Sequence, residues 1–260
     1  MKRNSPHGGG GFSALVWLAT RLLPVVVLGC RPDADIVEPA PRTGSVALHF
    51  AYGVGTGQPF YLDSAYLTTS DELVRISRLK YYVSRVRLQR ADSSYWTAPD
   101  RAFLLDAGHR DSLLLAGVPD GEYGALSFDI GLDSITNSRT DWGGDLAPAH
   151  EMFWAWNTGY KFFSLDGQWL GAASPALIEY HIGREPTRRT IHLPLPQPAR
   201  VAPSTPKPRI ELAVRPLTAF GGPNTMRLGN SHDRNVMFDT SQALRVVGNY
   251  VTMFRVSRVR

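Results

Sequence analysis

Apart from His7, the histidines of this chain are His49, His109, His150, His181, His192 and His232, and its single cysteine is Cys30. Imidazoles without a neighbouring thiolate suit copper among the metals that nitrogen donors hold. His49 interrupts Val46, Leu48 and Phe50, and His181 interrupts Ile178, Tyr180 and Ile182. Each histidine is therefore out of phase with its strand's apolar face, a placement that lets the two meet across a sheet. Taken singly, each reads more readily as a solvent-facing or hydrogen-bonded histidine. The second concentration of chemistry runs from His150 to Lys161 and holds Met152, Phe153, Trp154, Trp156 and Tyr160. On an extended backbone Met152, Trp154 and Trp156 share a face, as the dense part of a core. Alternatively, Trp154, Trp156 and Tyr160 form a stacking platform for sugar or peptide on a metal-free binding module.

Between Asp129 and Glu151 lies a polar stretch with Asp129, Asp133, Asn137, Asp141 and Asp145. Calcium needs six or more oxygens, which a loop can converge. The spacing matches no EF-hand, so calcium is the weaker metal candidate and solvated turns are the stronger reading. The carboxylates from Asp133 to Glu151 could instead serve acid–base catalysis, a rival that requires them to line a cleft. The sequence has no phosphate-cradling glycine loop, no nucleophile elbow, no Cys-x-x-Cys and no His-Glu-x-x-His. The expectation is a binding protein and not an enzyme.

These residues must be positioned by strands. Alternating segments at Val46–Tyr52, Leu79–Leu88, Tyr123–Leu132 and Leu177–Gly183 are separated by turn signals such as Pro119-Asp120-Gly121. In Leu79–Leu88, Tyr82, Val86 and Leu88 are read onto one face, with Arg85 and Arg87 on the other. Phe162 to Leu170 reads as a strand, an Asp166-Gly167 turn and the next strand. The prolines from Pro194 to Pro208 restrict their stretch to a sheet edge or a connection. Leu244, Val247 and Phe254 recur at helical spacing after Asp239-Thr240-Ser241, which can cap a C-terminal helix. The pattern predicts an all-β, single-domain β-sandwich, immunoglobulin-like or open-barrel, with long loops and that helix.

The N-terminus reads as a signal. Lys2 and Arg3 precede a largely apolar run that ends at Leu28-Gly29-Cys30. Residues 1–29 are read as a lipoprotein signal peptide, Cys30 as the lipidated residue, 30–43 as a flexible tether and 44–260 as the folded domain. Without a second cysteine there is no internal disulfide. Removing Lys2, Arg3 and Arg21 takes most of the formal charge of +5, which leaves no argument for a nucleic-acid partner.

Several blocks in order resemble the MbnP-like copper-binding proteins: Leu79-Lys80-Tyr81-Tyr82-Val83-Ser84, Ile130-Gly131-Leu132-Asp133, Gly144-Asp145-Leu146-Ala147-Pro148, Met152 to Tyr160, Tyr180-His181-Ile182-Gly183, and Asn249 to Phe254. The resemblance runs from about Gly44 to the C-terminus. It implies a secreted or lipidated β-sandwich that binds copper through histidines and a kynurenine made from a tryptophan. It also implies a partner, a secreted MauG-like di-haem cytochrome c peroxidase that oxidises the tryptophan. Carried onto this chain, the metal ligands are His181, from the Tyr-His-x-Gly block, and His49, and the modified residue is Trp154 or Trp156. Where family chains often carry histidines after the Met-Phe pair, this one ends Arg255 to Arg260 without any. The implied setting is a lipid anchor on the periplasmic side of the envelope, at the outer membrane of a Gram-negative bacterium.

Overall fold

The computed structural model describes residues 42–55, 57–100, 102–154, 159–171, 173–203 and 206–260, all within the compact unit Ala40–Arg260. The signal segment, Cys30 and Trp156 lie outside the described residues. The first strands are β1 (Thr43–Tyr52), β2 (Ala65–Leu67), β3 (Leu73–Gln89), β4 (Tyr95–Thr97), β5 (Ala102–Asp106), β6 (Ser112–Pro119) and β7 (Gly121–Ile130). The rest are β8 (Phe153–Trp154), β9 (Gly159–Trp169), β10 (Ala176–Gly183), β11 (Arg189–Val201), β12 (Arg209–Val214), β13 (Asn235–Val236) and β14 (Phe254–Val259). Among the described residues they form two sheets. One is four-stranded, in the order β14-β12-β1-β6; the other is ten-stranded, with the central order β11-β7-β3-β9-β10-β13. The architecture is a β-sandwich and not a closed barrel.

Alternation decides which side chains meet between the sheets. Val46, Leu48 and Phe50 of β1 are fully buried, as are Tyr81 and Val83 of β3, Phe128 of β7, and Ile178, Tyr180 and Ile182 of β10. The ring of Phe50 meets those of Tyr81 and Phe128 edge-on, at 6.4 and 6.1 Å between centroids. Each such apolar side chain contributes about 1.5–3 kcal/mol by leaving water. A one-residue slip of β1 would expose all three of its core residues, so the core fixes His49 on the outer surface.

The ten-stranded sheet is covered on its other side too. Tyr82, Leu104, Tyr160 and Phe162 point away from the main core and pack with Leu132, Leu146 and Met152 as a second cluster. The segment between β7 and β8 forms this cover. Arg110 grips Asp145 through Nη1 at 2.6 and 2.5 Å, and the Tyr82 and Tyr160 hydroxyls donate to the carbonyls of Asp145 and Leu146.

Three sequence readings are corrected by bulges and pairing. Tyr82 does not share a face with Val86 and Leu88. The β3–β7 register shifts between Ser84 and Arg87, Arg85 takes φ 48°, and the strand changes phase there. Asp166-Gly167 is not a turn, because β9 runs unbroken through it. There, β9 approaches β3 so closely that a Cβ on Gly167 would overlap the carbonyl oxygen of Arg75. The helix is present at Thr240–Tyr250, with Asp239 accepting from the amides of Ser241 and Gln242, but the chain then returns as β14 to pair with β12. The proline-rich stretch is the edge strand β11, as its prolines require, with a register shift between Pro194 and Ala199.

Candidate functional site

The polar part of the ten-stranded sheet's outer face holds the chemistry. Pairing of β5, β3, β9 and β10 sets Asp106, Lys80, Ser164 and His181 in one row across the strands. The next row holds Arg78, Asp166 and Glu179. These residues face outward because their neighbours Leu79, Leu165, Ile178 and Tyr180 are committed to the core.

Within the rows, His181 Nε2 lies 2.7 Å from Asp166 Oδ1, and Arg78 Nε donates to Asp166 Oδ2 at 2.5 Å. Arg78 Nη1 also donates to Glu151 at 2.6 Å, and Lys80 pairs with Asp106 at 3.3 Å. Burial raises the Asp166 carboxyl, but the hydrogen bonds and charges of His181 and Arg78 outweigh it and hold the group below its ordinary value. Lys161 is lowered as well, which for an ammonium disfavours the charged form. Burial and the Arg78 charge lower its ammonium against the pull of Asp166, Glu151 and Glu179. A carboxylate on one ring nitrogen is also how proteins orient a metal-binding histidine. In His181 that would leave Nδ1 as the donor.

Trp154 reaches the same face from β8, which pairs with β9 through Phe153–Tyr160 and Trp154–Gly159. Its indole crosses β10 at Gly183, where an added Cβ would fall 2.7 Å from the ring and overlap the Tyr160 carbonyl. Gly183 is two residues from His181 along β10, at a register shift between Ile182 and Gly183. Beyond Gly183 the indole meets Phe238, at 5.9 Å between centroids, and Arg184 lies over that ring at the same distance. Phe238 is 63% exposed, whereas Tyr160, expected in a stacking platform, is fully buried in the second cluster. The single-face expectation for Met152 and Trp154 fails, because it is Phe153 that joins Met152 on the second cluster. The strand is only two residues long, too short for the alternation to reach back to Met152.

His49 is elsewhere. It stands on the outer face of the four-stranded sheet, 3.4 Å from Asp111, with the sandwich core between it and His181. The two predicted ligands therefore do not meet. Nor does the aspartate stretch converge. Asp129 is buried against Thr190, Arg188 and Arg85, and Asp133 caps a short helix through the amide of Thr136. Asp141 pairs with Arg139, and Asp145 with Arg110. Asn137 accepts from the Tyr160 amide. With each oxygen committed to its own partner, these side chains do not converge as a calcium cage would require. Among the described residues no three His, Cys, Asp or Glu side chains are grouped to hold a metal.

Sequence reasoning misses the roles of Asp166 and Arg78. The Asp166-Gly167 pair has the composition of a turn; Arg78 and Lys80 flank Leu79 in the outward phase, an alternation that marks them.

The family model for MbnP matches residues 43–238. Among solved structures the chain is similar to MbnP from Methylosinus trichosporium. The identity is 18% and the TM-score 0.48, over 69% of this chain and 78% of that one. No curated protein matches. With three quarters of its length matched by the family model, the chain belongs to the MbnP family.

Proposed function

We propose that this protein binds copper without turnover, on the outer face of the ten-stranded sheet, with His181 as its imidazole donor. The observation that carries the reading is the indole of Trp154 lying across Gly183, two residues from a histidine whose other nitrogen already faces Asp166. The unmodified described residues offer that imidazole and a carboxylate, which is short of a full ligand set. Oxidation of Trp154 or Trp156 to kynurenine would add an aromatic amine and a ketone as donors. A secreted MauG-like di-haem peroxidase is the oxidant that family membership suggests. The protein would act in copper acquisition or handling at the periplasmic side of the outer membrane, anchored through lipid on Cys30. His49 is left out of this site.

A competition titration with a chromophoric copper chelator, on protein from the native host, tests the assignment. His181→Ala removes the donor itself and is expected to weaken copper binding by more than the roughly tenfold to hundredfold lost when only a group ordering a ligand is removed. His49→Ala should leave it unchanged. The opposite pattern would sink the proposal. One observation favours a second reading: the exposed ring of Phe238 beside Trp154 makes a platform for a sugar or peptide. Glycan-dependent quenching of tryptophan fluorescence with no response to copper would select it.

A further inference from the structure

The two outer faces of the sandwich differ. The ten-stranded sheet is partly covered by its own chain, whereas the outer face of the four-stranded sheet carries, among the described residues, small side chains at Ser45, Ala47, Ala51, Ala116 and Ala213. Pairing aligns His49 with Glu211 and Arg258, Ala51 with Ala213 and Arg255, and Ala47 with Arg209, whose amide bonds to the Arg260 carbonyl. Arg209, Arg255, Arg258 and Arg260 are all exposed and lie on the β12–β14 flank of this face. Glu211 is their acidic counterpart, with Arg258, Arg260 and Arg209 at 2.8, 3.4 and 3.7 Å. Four guanidiniums stand against the Glu211 carboxylate on this flank, with Asp111 across the sheet beside His49, and no acid pairs with Arg255 among the described residues.

We infer that this face docks a carboxylate-rich surface of a partner protein. Its excess charge is held by arginines, whose planar forks match carboxylates, and Arg258 already grips Glu211 through both Nε and Nη2. The small side chains at Ser45, Ala47, Ala51 and Ala213 let an opposing surface come close to the arginines. A face built to bind anionic lipid would interleave its cations with aromatic or aliphatic side chains that enter the interface. Here the large apolar residue is Leu114, paired with Ala47 on the far side from the arginines. An acidic protein surface is the occupant that fits.

Fluorescence anisotropy with a labelled twelve-residue polyglutamate peptide tests this at low ionic strength. Arg255→Gln/Arg260→Gln leaves Glu211 its contacts with Arg258 and Arg209, so the fold is retained. The double variant is expected to bind about tenfold more weakly than the parent, because opposed charges govern such encounters. Arg75→Gln/Arg227→Gln removes the same charge from exposed positions elsewhere and should bind like the parent. Binding should fade as salt rises toward molar concentrations. Equal weakening by both pairs would reduce the effect to net charge and overturn the inference. It would also be overturned if phosphatidylglycerol vesicles bound through Arg255 and Arg260 while the peptide did not.

Discussion

Replacing Asp129 by alanine is expected to destabilise the fold by about 3 kcal/mol, toward the lower end for breaking a buried ion pair. Its side chain is 1% exposed and accepts from Thr190 Oγ1 at 2.7 Å, Arg188 at 2.9 Å and Arg85 at 3.3 Å. It ties β7 to β11 and to the bulge of β3, where Arg85 takes its positive φ. The loss stays near the lower end because Arg188 keeps Glu185 and Arg85 is half exposed, so neither stranded cation is deeply buried. Asp129→Asn keeps the shape and an acceptor for Thr190 and should fall between parent and alanine variant. Urea denaturation measures both. A change below about 1 kcal/mol for the alanine variant would mean that the arginines find solvent at no cost, and the buried tie would not matter.

Gly183→Ala is expected to cost about 2–3 kcal/mol and to dislodge Trp154, for a reason that needs only one added carbon. The new Cβ would overlap the Tyr160 carbonyl and sit 2.7 Å from the indole. The carbonyl belongs to the β9 backbone and cannot swing aside, so either the strands part or the indole leaves. Near-ultraviolet circular dichroism reports the indole and urea denaturation the stability. Gly124→Ala is the matched control, since nothing lies within 4 Å of its added carbon. It should change stability by no more than about 0.5 kcal/mol. If the two variants behave alike, the close seat of Trp154 on β10 is not a constraint on the fold.

What was legible in the sequence was local. The phase of β1 and β10, and with it the outward placement of His49 and His181, follows from Val46, Leu48, Phe50, Ile178, Tyr180 and Ile182. The edge position of β11 follows from its prolines. The sheet to which each strand belongs is set by long-range pairing, and alternation is blind to that. Two histidines in equivalent phases could therefore stand on opposite faces of the sandwich. Bulges hid more. Phase changes at Ser77 and Arg85 let one strand serve two clusters, and no residue type there announces them. Asp166-Gly167 carries the composition of a turn, yet it is held in a strand because β3 lies against the glycine and His181 and Arg78 hold the carboxylate. Family membership was legible in the blocks spread from Leu79 to Phe254, and the family model covers most of that span.

The most direct measurement is a peptide mass map across His150–Lys161 on protein purified from its native host. The copper account predicts one tryptophan, Trp154 or Trp156, with a net loss of one carbon and gain of one oxygen, the signature of kynurenine. Two unmodified tryptophans would contradict it, leaving His181 and Asp166 short of a copper site and the aromatic platform at Trp154 and Phe238 as the working surface.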